Sequence, residues 1–208
     1  MNIKFYLSFL FIVFNFLLIV SQEETTNNNK GELIVSSSIG TSTLEAKNTF
    51  KINANVSEGF IGYEFMVNNK VSLISGLEIL RIKADFNNAA GNQLFLTNNY
   101  INIPVLARLF LNREQKMEIF VDLGIYGSYL YKSKVEDIAN NIKDTENGLG
   151  TSFGFQANIG AKYKVNEKLS ISFGIKSKSD IVNSFKSSVQ EFKLTDFYAF
   201  QLGLGLKL

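Results

Sequence analysis

The sequence predicts an all-β protein: an eight-stranded antiparallel up-and-down transmembrane β-barrel with short periplasmic turns and four longer extracellular loops. Three observations predict it. Apolar and polar residues alternate along most of the chain after residue 29. The connections between alternating segments are short and long in turn, and the last segment, FQLGLGLKL at 200–208, is apolar at every second position. A period of two sends successive side chains to opposite faces of a strand.

Composition excludes several classes of function. The 208 residues include no Cys and no His, so disulfides, thiolate or imidazole metal sites and His-dependent catalytic triads are ruled out. The formal charge of +2, without a dominant Lys or Arg run, gives no electrostatic footprint for nucleic acid. We therefore expect a protein that is not an enzyme, with no cofactor, no metal and no nucleic-acid partner.

The N-terminal segment has the layout of a cleavable signal peptide. Lys4 supplies a positive charge, an apolar stretch follows at 5–20, and the small residue Ser21 precedes a polar segment. An uncleaved anchor is the alternative, but the apolar stretch is short for a membrane span. We expect a signal peptide at 1–21, a polar segment at 22–30 and a barrel domain at 31–208.

Each strand is predicted from its own alternation. In the segment 100–112 the apolar row begins with Ile101 and Ile103, and the opposite row includes Asn102 and Arg108. The segments at 117–131, 152–165 and 168–178 alternate as clearly, whereas the first three segments are less regular. The eight predicted strands are 31–40, 58–67, 70–82, 100–112, 117–131, 152–165, 168–178 and 195–208.

The connections predict the orientation of the barrel. Short Asn-containing turns are expected at 68–70, 112–116 and 166–168. Long polar loops are expected at 41–55, 85–98, 132–148 and 179–195. Short turns at one end and long loops at the other are typical of bacterial outer-membrane barrels, and both chain ends then lie on the periplasmic side.

Alternation alone also fits a soluble, lipocalin-like periplasmic barrel with its apolar face inward. The polar rows favour the membrane, because they are rich in Gly, Ser, Asn and Gln, which suit the crowded lumen of a small barrel. Tyrosines toward the strand ends are expected in interfacial aromatic girdles. These tyrosines are Tyr63, Tyr100, Tyr129, Tyr131, Tyr163 and Tyr198.

The stretch NYINIPVLARLFLN at 99–112 carries a family resemblance. Its tyrosine, isoleucine-proline and aliphatic run is similar to a central strand of the PorT-like outer-membrane β-barrel proteins of Bacteroidota. The resemblance extends over the whole predicted mature chain and implies a barrel in the outer membrane. It implies little about activity, and chain termination on Leu208 rather than an aromatic residue departs from the usual pattern of such barrels.

Charged residues in the polar rows predict a lumen network. A narrow lumen is poorly hydrated, so inward charges need partners. We expect an ion-pair network that plugs the barrel; a narrow polar pathway is the alternative, because intramembrane charges also mark ion routes. Counted from the short turns, some of these residues lie in the periplasmic half and others higher. The set is Glu64, Glu78, Arg108, Glu118, Asp122, Lys162 and Lys176.

The third predicted long loop holds four acids, Glu136, Asp137, Asp144 and Glu146, interleaved with lysines. This pattern is typical of a solvated loop, and a weak Ca²⁺ site is the alternative. Val135, Ile138 and Ile142 recur at helical spacing, which predicts a short helix in the same loop.

The closing strand is expected to present a lipid face and to pair with the first strand. Such a terminal strand resembles the signal read by the barrel-assembly machinery, a transient partner beside outer-membrane lipid. The expected lipid-facing residues are Phe200, Leu202, Leu204, Leu206 and Leu208.

The functional prediction is a small structural or interaction protein of the cell envelope, with partners contacted through its loops. The alternatives are a subunit of an envelope secretion complex, a narrow channel for small solutes and the soluble ligand-binding barrel.

Overall fold

A computed structural model describes residues 31–46, 51–87, 91–112, 115–185 and 192–207. The expected signal peptide, the polar segment at 22–30 and Leu208 lie outside these residues. Eight antiparallel strands form one closed barrel in chain order, which confirms the predicted fold. The strands are β1 (Glu32–Ala46), β2 (Lys51–Met66), β3 (Val71–Asn87), β4 (Gln93–Phe110), β5 (Met117–Asp137), β6 (Ile142–Lys164), β7 (Leu169–Phe185) and β8 (Phe192–Lys207). Within the described ranges, no helix is long and apolar enough to cross a bilayer.

The first and last strands close the barrel. β1 pairs with β8 from Glu32 opposite Lys207 to Ala46 opposite Phe192, with one register shift between Thr41 and Thr43. β8 pairs on its other side with β7. Every strand therefore has two neighbours, and the ring leaves no open edge in the hydrocarbon, where unpaired backbone groups are costly.

Asparagine side chains stabilise the three periplasmic turns through hydrogen bonds. The Oδ1 of Asn68 accepts hydrogen bonds from the backbone N–H groups of Lys70 and Val71, at 2.8 and 2.9 Å. Asn166 accepts in the same way from Lys168 and Leu169. Asn112 accepts from the backbone N–H of Ile119 at 2.6 Å. These contacts confirm the three short turns and the role of Asn in them.

The extracellular connections are shorter than the sequence predicted, because the strands continue into them. β5 extends to Asp137 and β6 begins at Ile142, so strand pairing takes up most of the predicted loop 132–148. The same holds for the predicted loops 41–55, 85–98 and 179–195. The short helix predicted around Ile138 is wrong: residues 138–141 form the turn of the β5–β6 hairpin.

An apolar band surrounds the periplasmic part of the barrel. On β8 the outward side chains from Tyr198 to Leu206 are between 44% and 71% exposed. Nine residues at about 3.3 Å each, tilted by about 40°, span about 23 Å, close to the apolar height of an outer-membrane barrel. Large outward apolar side chains of this kind exclude the soluble, lipocalin-like alternative.

Above this band the two faces of the wall exchange character, with apolar side chains facing inward and polar side chains facing outward. On β2, Ile61 and Phe65 face outward in the band, at 53% and 55% exposure, whereas Ile52 and Val56 higher up face inward and are buried. Polar residues then face outward. Inward apolar residues from several strands form one core in this upper part, named here the upper core. Its members are Leu44, Ile52, Ala54, Val56, Leu80, Ile82, Ala84, Leu96, Tyr100, Leu130, Leu149, Leu194, Phe197 and Ala199.

Three of the six predicted tyrosines mark the edges of the band, and the expectation for a fourth is wrong. Tyr163 faces outward near the periplasmic turns, and Tyr129 and Tyr198 face outward near the extracellular edge, at 43% and 56% exposure. The expectation that Tyr100 belongs to a girdle is wrong. Its side chain points inward, is 6% exposed and belongs to the upper core, because it lies on the inward row of β4.

Deletion of residues 204–208 should prevent assembly of the barrel. It removes the β8 residues that pair with Val35 of β1 and Ile171 of β7, so both neighbours are left with unpaired backbone groups in lipid. Heat-modifiable migration on gels reports closure, and we expect it to be lost. The single substitution Lys207→Ala is the matched control and should migrate as wild type. Normal heat-modifiability of the truncated chain would contradict the closure described here.

Candidate functional site in the barrel lumen

The polar rows of the strands meet in the lumen, where charged residues form two separate groups. The lower cluster consists of Glu32, Glu64, Arg108, Asp122 and Lys162. The upper cluster consists of Glu58, Glu78, Lys176 and Lys178. All nine side chains are nearly inaccessible to solvent. Charges removed from water to this degree require partners.

Arg108 is the centre of the lower cluster. Its Nε and Nη2 donate to the two carboxylate oxygens of Asp122, at 2.7 and 2.9 Å. Its Nη1 donates to Oε2 of Glu64 at 3.1 Å. The guanidinium carbon also lies 3.8 Å from the centre of the Phe120 ring, within the range of a cation–π contact. One cation on β4 thus connects β2 with β5.

Lys162 completes the lower cluster from β6. Its Nζ lies 2.8 Å from Oε2 of Glu64 and 2.7 Å from Oε2 of Glu32. Two serine hydroxyls also donate hydrogen bonds to these carboxylates. Ser72 donates to Glu64 at 2.6 Å, and Ser170 donates to Glu32. The bonds from Lys162 and Ser170 cross between strands that are not neighbours in the sheet, whereas Ser72 and Glu64 lie on the adjacent strands β3 and β2.

The closing strand contributes space to this cluster rather than a side chain. A Cβ atom at Gly205 would overlap Oε1 of Glu32 and the hydroxyl of Ser170. Glycine at this position of β8 therefore lets the Glu32 carboxylate lie against the wall opposite Lys162.

The upper cluster is an alternating square of two carboxylates and two ammonium groups. Lys176 binds Oε1 of Glu58 and lies 3.1 Å from Oε2 of Glu78. Lys178 lies 2.5 Å from Oε2 of Glu58 and also binds Glu78. Because Lys176 and Lys178 are two residues apart on β7, both ammonium groups point into the lumen. The formal charges of the square cancel.

Apolar residues and one small cavity separate the two clusters. Ile34, Phe60, Ile74 and Leu106 form a buried layer between them. A cavity of about 20 Å³ remains at this level, bordered by residues of both clusters, among them Arg108 and Lys176. This volume holds about one water molecule.

A further hydrogen-bonded group, centred on Asp180, lies above the upper cluster. Asp180 accepts from the hydroxyl of Tyr126 at 2.6 Å and from Ser152 at 3.1 Å. Its other oxygen accepts from the backbone N–H of Leu194 at 3.1 Å. Tyr126 connects this group to the upper cluster, because Nζ of Lys178 lies 5.5 Å from its ring centre. The upper core covers the group on the extracellular side.

The structure distributes the seven predicted lumen residues among three places. Glu64, Arg108, Asp122 and Lys162 belong to the lower cluster, and Glu78 and Lys176 belong to the upper cluster. Glu118 is buried at the periplasmic end but belongs to neither. Its Oε1 lies 2.6 Å from Nζ of Lys164, a residue whose side chain is 43% exposed.

Sequence reasoning missed Glu32, Glu58, Lys178 and Asp180. Each lies on the inward row of its strand, and Glu58, Lys178 and Asp180 share the parity of a predicted residue on the same strand. Glu58 is six residues before Glu64, and Lys178 is two residues after Lys176. Glu32, Glu58 and Lys178 lie at the ends of the predicted strands 31–40, 58–67 and 168–178, and Asp180 lies beyond the last of these, so the inward rows were not followed far enough to include them.

The acidic third hairpin lies outside the lumen. Glu136 pairs with Lys143 at 2.7 Å and with Lys134 at 2.9 Å. The hydrogen bonds from Lys143 and Lys134 lower the pKa of Glu136 below its usual value. Among the described residues, no group of three or more acids is arranged to hold a metal ion.

Four of the five expected lipid-facing residues of the closing strand face outward. Phe200, Leu202, Leu204 and Leu206 are 71%, 63%, 54% and 44% exposed, whereas Gly203 and Gly205 between them are buried. Their side chains form part of the apolar band.

Comparisons with known proteins agree with this geometry. A family model described as "outer membrane protein beta-barrel domain" matches residues 12–207. A search of curated proteins found no match.

Solved structures show the same fold at low sequence identity. The chain is similar to Neisserial surface protein A, with 11% identity, a TM-score of 0.53 and coverage of 86% of this chain and 97% of that one. It is also similar to the outer membrane protein OprG of Pseudomonas aeruginosa, with 13% identity, a TM-score of 0.52 and the same coverage.

Arg108→Met should destabilise the barrel strongly. It leaves Glu64 and Asp122 without their shared cation, and breaking a buried ion pair costs about 3–5 kcal/mol. The exposed pair of the third hairpin provides the control: Lys143→Gln should leave the urea midpoint almost unchanged, because an exposed ion pair contributes little to stability. The chain has no Trp, so urea unfolding of the refolded barrel is followed by circular dichroism. Equal, small losses for both variants would contradict a structural role for the lower cluster.

Proposed function

Because the chain belongs to the outer membrane β-barrel domain family, we propose that it is a closed, non-conducting barrel that serves as a structural or interaction protein of the cell envelope. Membership in the family places the chain in the outer membrane. The narrower placement among the PorT-like proteins of Bacteroidota is part of this proposal and is supported by the stretch 99–112 alone. Export by a signal peptide cleaved after residue 21 is likewise part of it.

The filled lumen is the observation that carries the proposal. An eight-stranded barrel has an interior just wide enough for side chains. Here that interior contains, from the periplasmic end upward, the lower cluster, an apolar layer, the upper cluster, the group around Asp180 and the upper core. Any ion that passed through would have to displace buried salt bridges and then enter a dry apolar core. Both steps are costly.

The same residues argue against catalysis. Paired carboxylates serve as acid and base in some enzymes, but they need access to substrate. The carboxylates of both clusters bind lysine, arginine or serine side chains and are buried. They act as structural counter-ions in this proposal.

The extracellular hairpins supply the contact surface for partners. The β5–β6 hairpin is built from the two longest strands, and Ile138 and Ile142 at its turn are 68% and 59% exposed. Leu130 and Leu149 of the upper core, with Val135 packed against it, support the β5–β6 hairpin from inside. Variable recognition by loops on a rigid scaffold is common.

The purified barrel in planar bilayers should show no steady single-channel steps, because the lumen is closed at several levels. Steps that are steady in the wild type and change in size in Arg108→Ala would contradict the proposal and favour the narrow channel. Lys143→Gln, which alters an exposed charge outside the lumen, is the control for effects on the channel mouth. Each preparation is first shown to be closed by heat-modifiable migration.

A further inference from the structure

A patch of basic residues lies on the outer wall, directly above the apolar band. Its four cations are Arg81 and Lys83 on β3 and Lys132 and Lys134 on β5. From this arrangement we infer that the patch binds the phosphate groups of outer-leaflet lipids. The inference goes beyond the proposed function, although it assumes that the barrel spans the outer membrane in the orientation described above.

The register of three neighbouring strands places these cations in two rows. Arg81 pairs with Asn99 of β4, and Asn99 pairs with Lys132 of β5. Two residues higher, Lys83 pairs with Thr97, and Thr97 pairs with Lys134. Neighbouring strands are about 4.8 Å apart, so the cations of each row are separated by about 10 Å at the backbone. Their long side chains can converge on one phosphate or bind two.

The row below fixes the height of the patch in the membrane. It consists of Ile79, Ile101 and Tyr129, which pair in the same order and are 60%, 40% and 43% exposed. An outward tyrosine beside exposed isoleucines is typical of the upper edge of the apolar band. The cations of the first row are two residues farther along their strands, which at a tilt of about 40° is about 5 Å farther from the hydrocarbon, at the level of lipid headgroups.

The row above the patch is acidic. Asp85 pairs with Phe95, and Phe95 pairs with Glu136, which holds Lys134 at 2.9 Å. From the membrane outward, this face therefore carries one apolar row, two cationic rows and one acidic row. On β8, by contrast, the outward residues near the upper edge of the band are Tyr198 and Asp196. Arg81, Lys83, Lys132 and Lys134 thus give the face of β3–β5 an excess of positive charge at headgroup height, which the described residues of β8 at the same height lack.

The geometry of Arg81 supports binding of phosphate. Its Nε donates to Oδ1 of Asn99 at 3.1 Å, which holds the guanidinium along the wall. The terminal nitrogens of an arginine fixed in this way are suited to bidentate contact with phosphate oxygens. Lys132 faces the same way from the next strand but one.

The test measures binding of a phosphorylated lipid to the full-length barrel. Barrels in neutral detergent micelles are titrated with diphosphorylated lipid A, and bound lipid is counted by native mass spectrometry. Because a cation near a membrane surface contributes about 5-fold to binding of anionic lipid, the double variant R81Q/K132Q should raise the dissociation constant about 25-fold. The matched control K51Q/K193Q removes the same charge elsewhere on the extracellular side and should change it less than about 2-fold.

Two further titrations identify the ligand. Lipid A without its phosphates should bind wild type and R81Q/K132Q equally weakly. Inorganic phosphate at the same phosphate concentration should not displace the lipid, since it lacks the acyl chains that lie against the Ile79 row. Three results would each overturn the inference. K51Q/K193Q could weaken binding as much as R81Q/K132Q does, or lipid A without phosphates could bind wild type as tightly as diphosphorylated lipid A does. The third is displacement of the lipid by inorganic phosphate.

Folding is checked independently of binding. Each variant is required to show heat-modifiable migration, and K132Q alone, with an expected change of about 5-fold, replaces the double variant if the latter does not fold. Lipid binding is measured without reference to conductance. A conducting barrel that still binds phosphorylated lipid would therefore overturn the proposed closed lumen and leave this inference standing.

Discussion

Pairing of the first strand with the last is the constraint on which the rest of this structure depends. In hydrocarbon a backbone group without a partner costs several kcal/mol, so the sheet has to close. Closing eight strands produces a lumen too narrow for bulk water. Charges on the inward rows must then be neutralised within the wall, and the two clusters do this with residues from β1, β2, β3, β4, β5, β6 and β7. β8 contributes Gly205, whose lack of a side chain leaves room for Glu32.

The membrane boundary explains why one strand carries two opposite patterns. Inside the bilayer, lipid favours apolar side chains outside and the polar ones pair in the lumen. Above the bilayer, water favours polar side chains outside and apolar ones in the interior. On β3 the change occurs between Ile79, which faces lipid, and Leu80, which faces the upper core. The barrel is thus a membrane barrel below and resembles a water-soluble barrel above, with continuous strands joining the two parts.

Much of the fold was predictable from the sequence, because alternation and turn chemistry are local. The turn residues Asn68, Asn112 and Asn166 determined the strand ends on the periplasmic side. The extracellular ends were placed too low, because the prediction assumed one sense of alternation along each strand. In 51–66 the apolar residues move from even positions, such as Ile52 and Val56, to odd positions, such as Ile61 and Phe65. That change of parity marks the membrane boundary and could have been used to extend the strands.

The site was less predictable, for a geometric reason. The alternation of inward and outward residues along each strand identified Arg108, Lys162 and Lys176 as inward. Counting residues from the periplasmic turns gave their approximate height in the barrel. Which carboxylate meets which cation depends on the stagger of the strands around the ring and on the reach of long side chains, and neither is local. Glu118 illustrates this, because it shares the parity and the height of the lower cluster yet pairs with Lys164.

Single-cysteine labelling tests most directly whether the lumen is sealed. The chain has no Cys, so each introduced thiol is unique. Ser36 faces the lumen at 6% exposure and accepts a hydrogen bond from Gln201, and Ser36→Cys changes the side chain little. Asn53→Cys, outward above the apolar band, is the accessible control. In the folded barrel a charged, membrane-impermeant thiol reagent should modify Cys at position 53 rapidly and leave Cys at position 36 unmodified until the barrel is unfolded. Comparable rates at the two positions in the folded barrel would show a water-filled lumen and contradict the account.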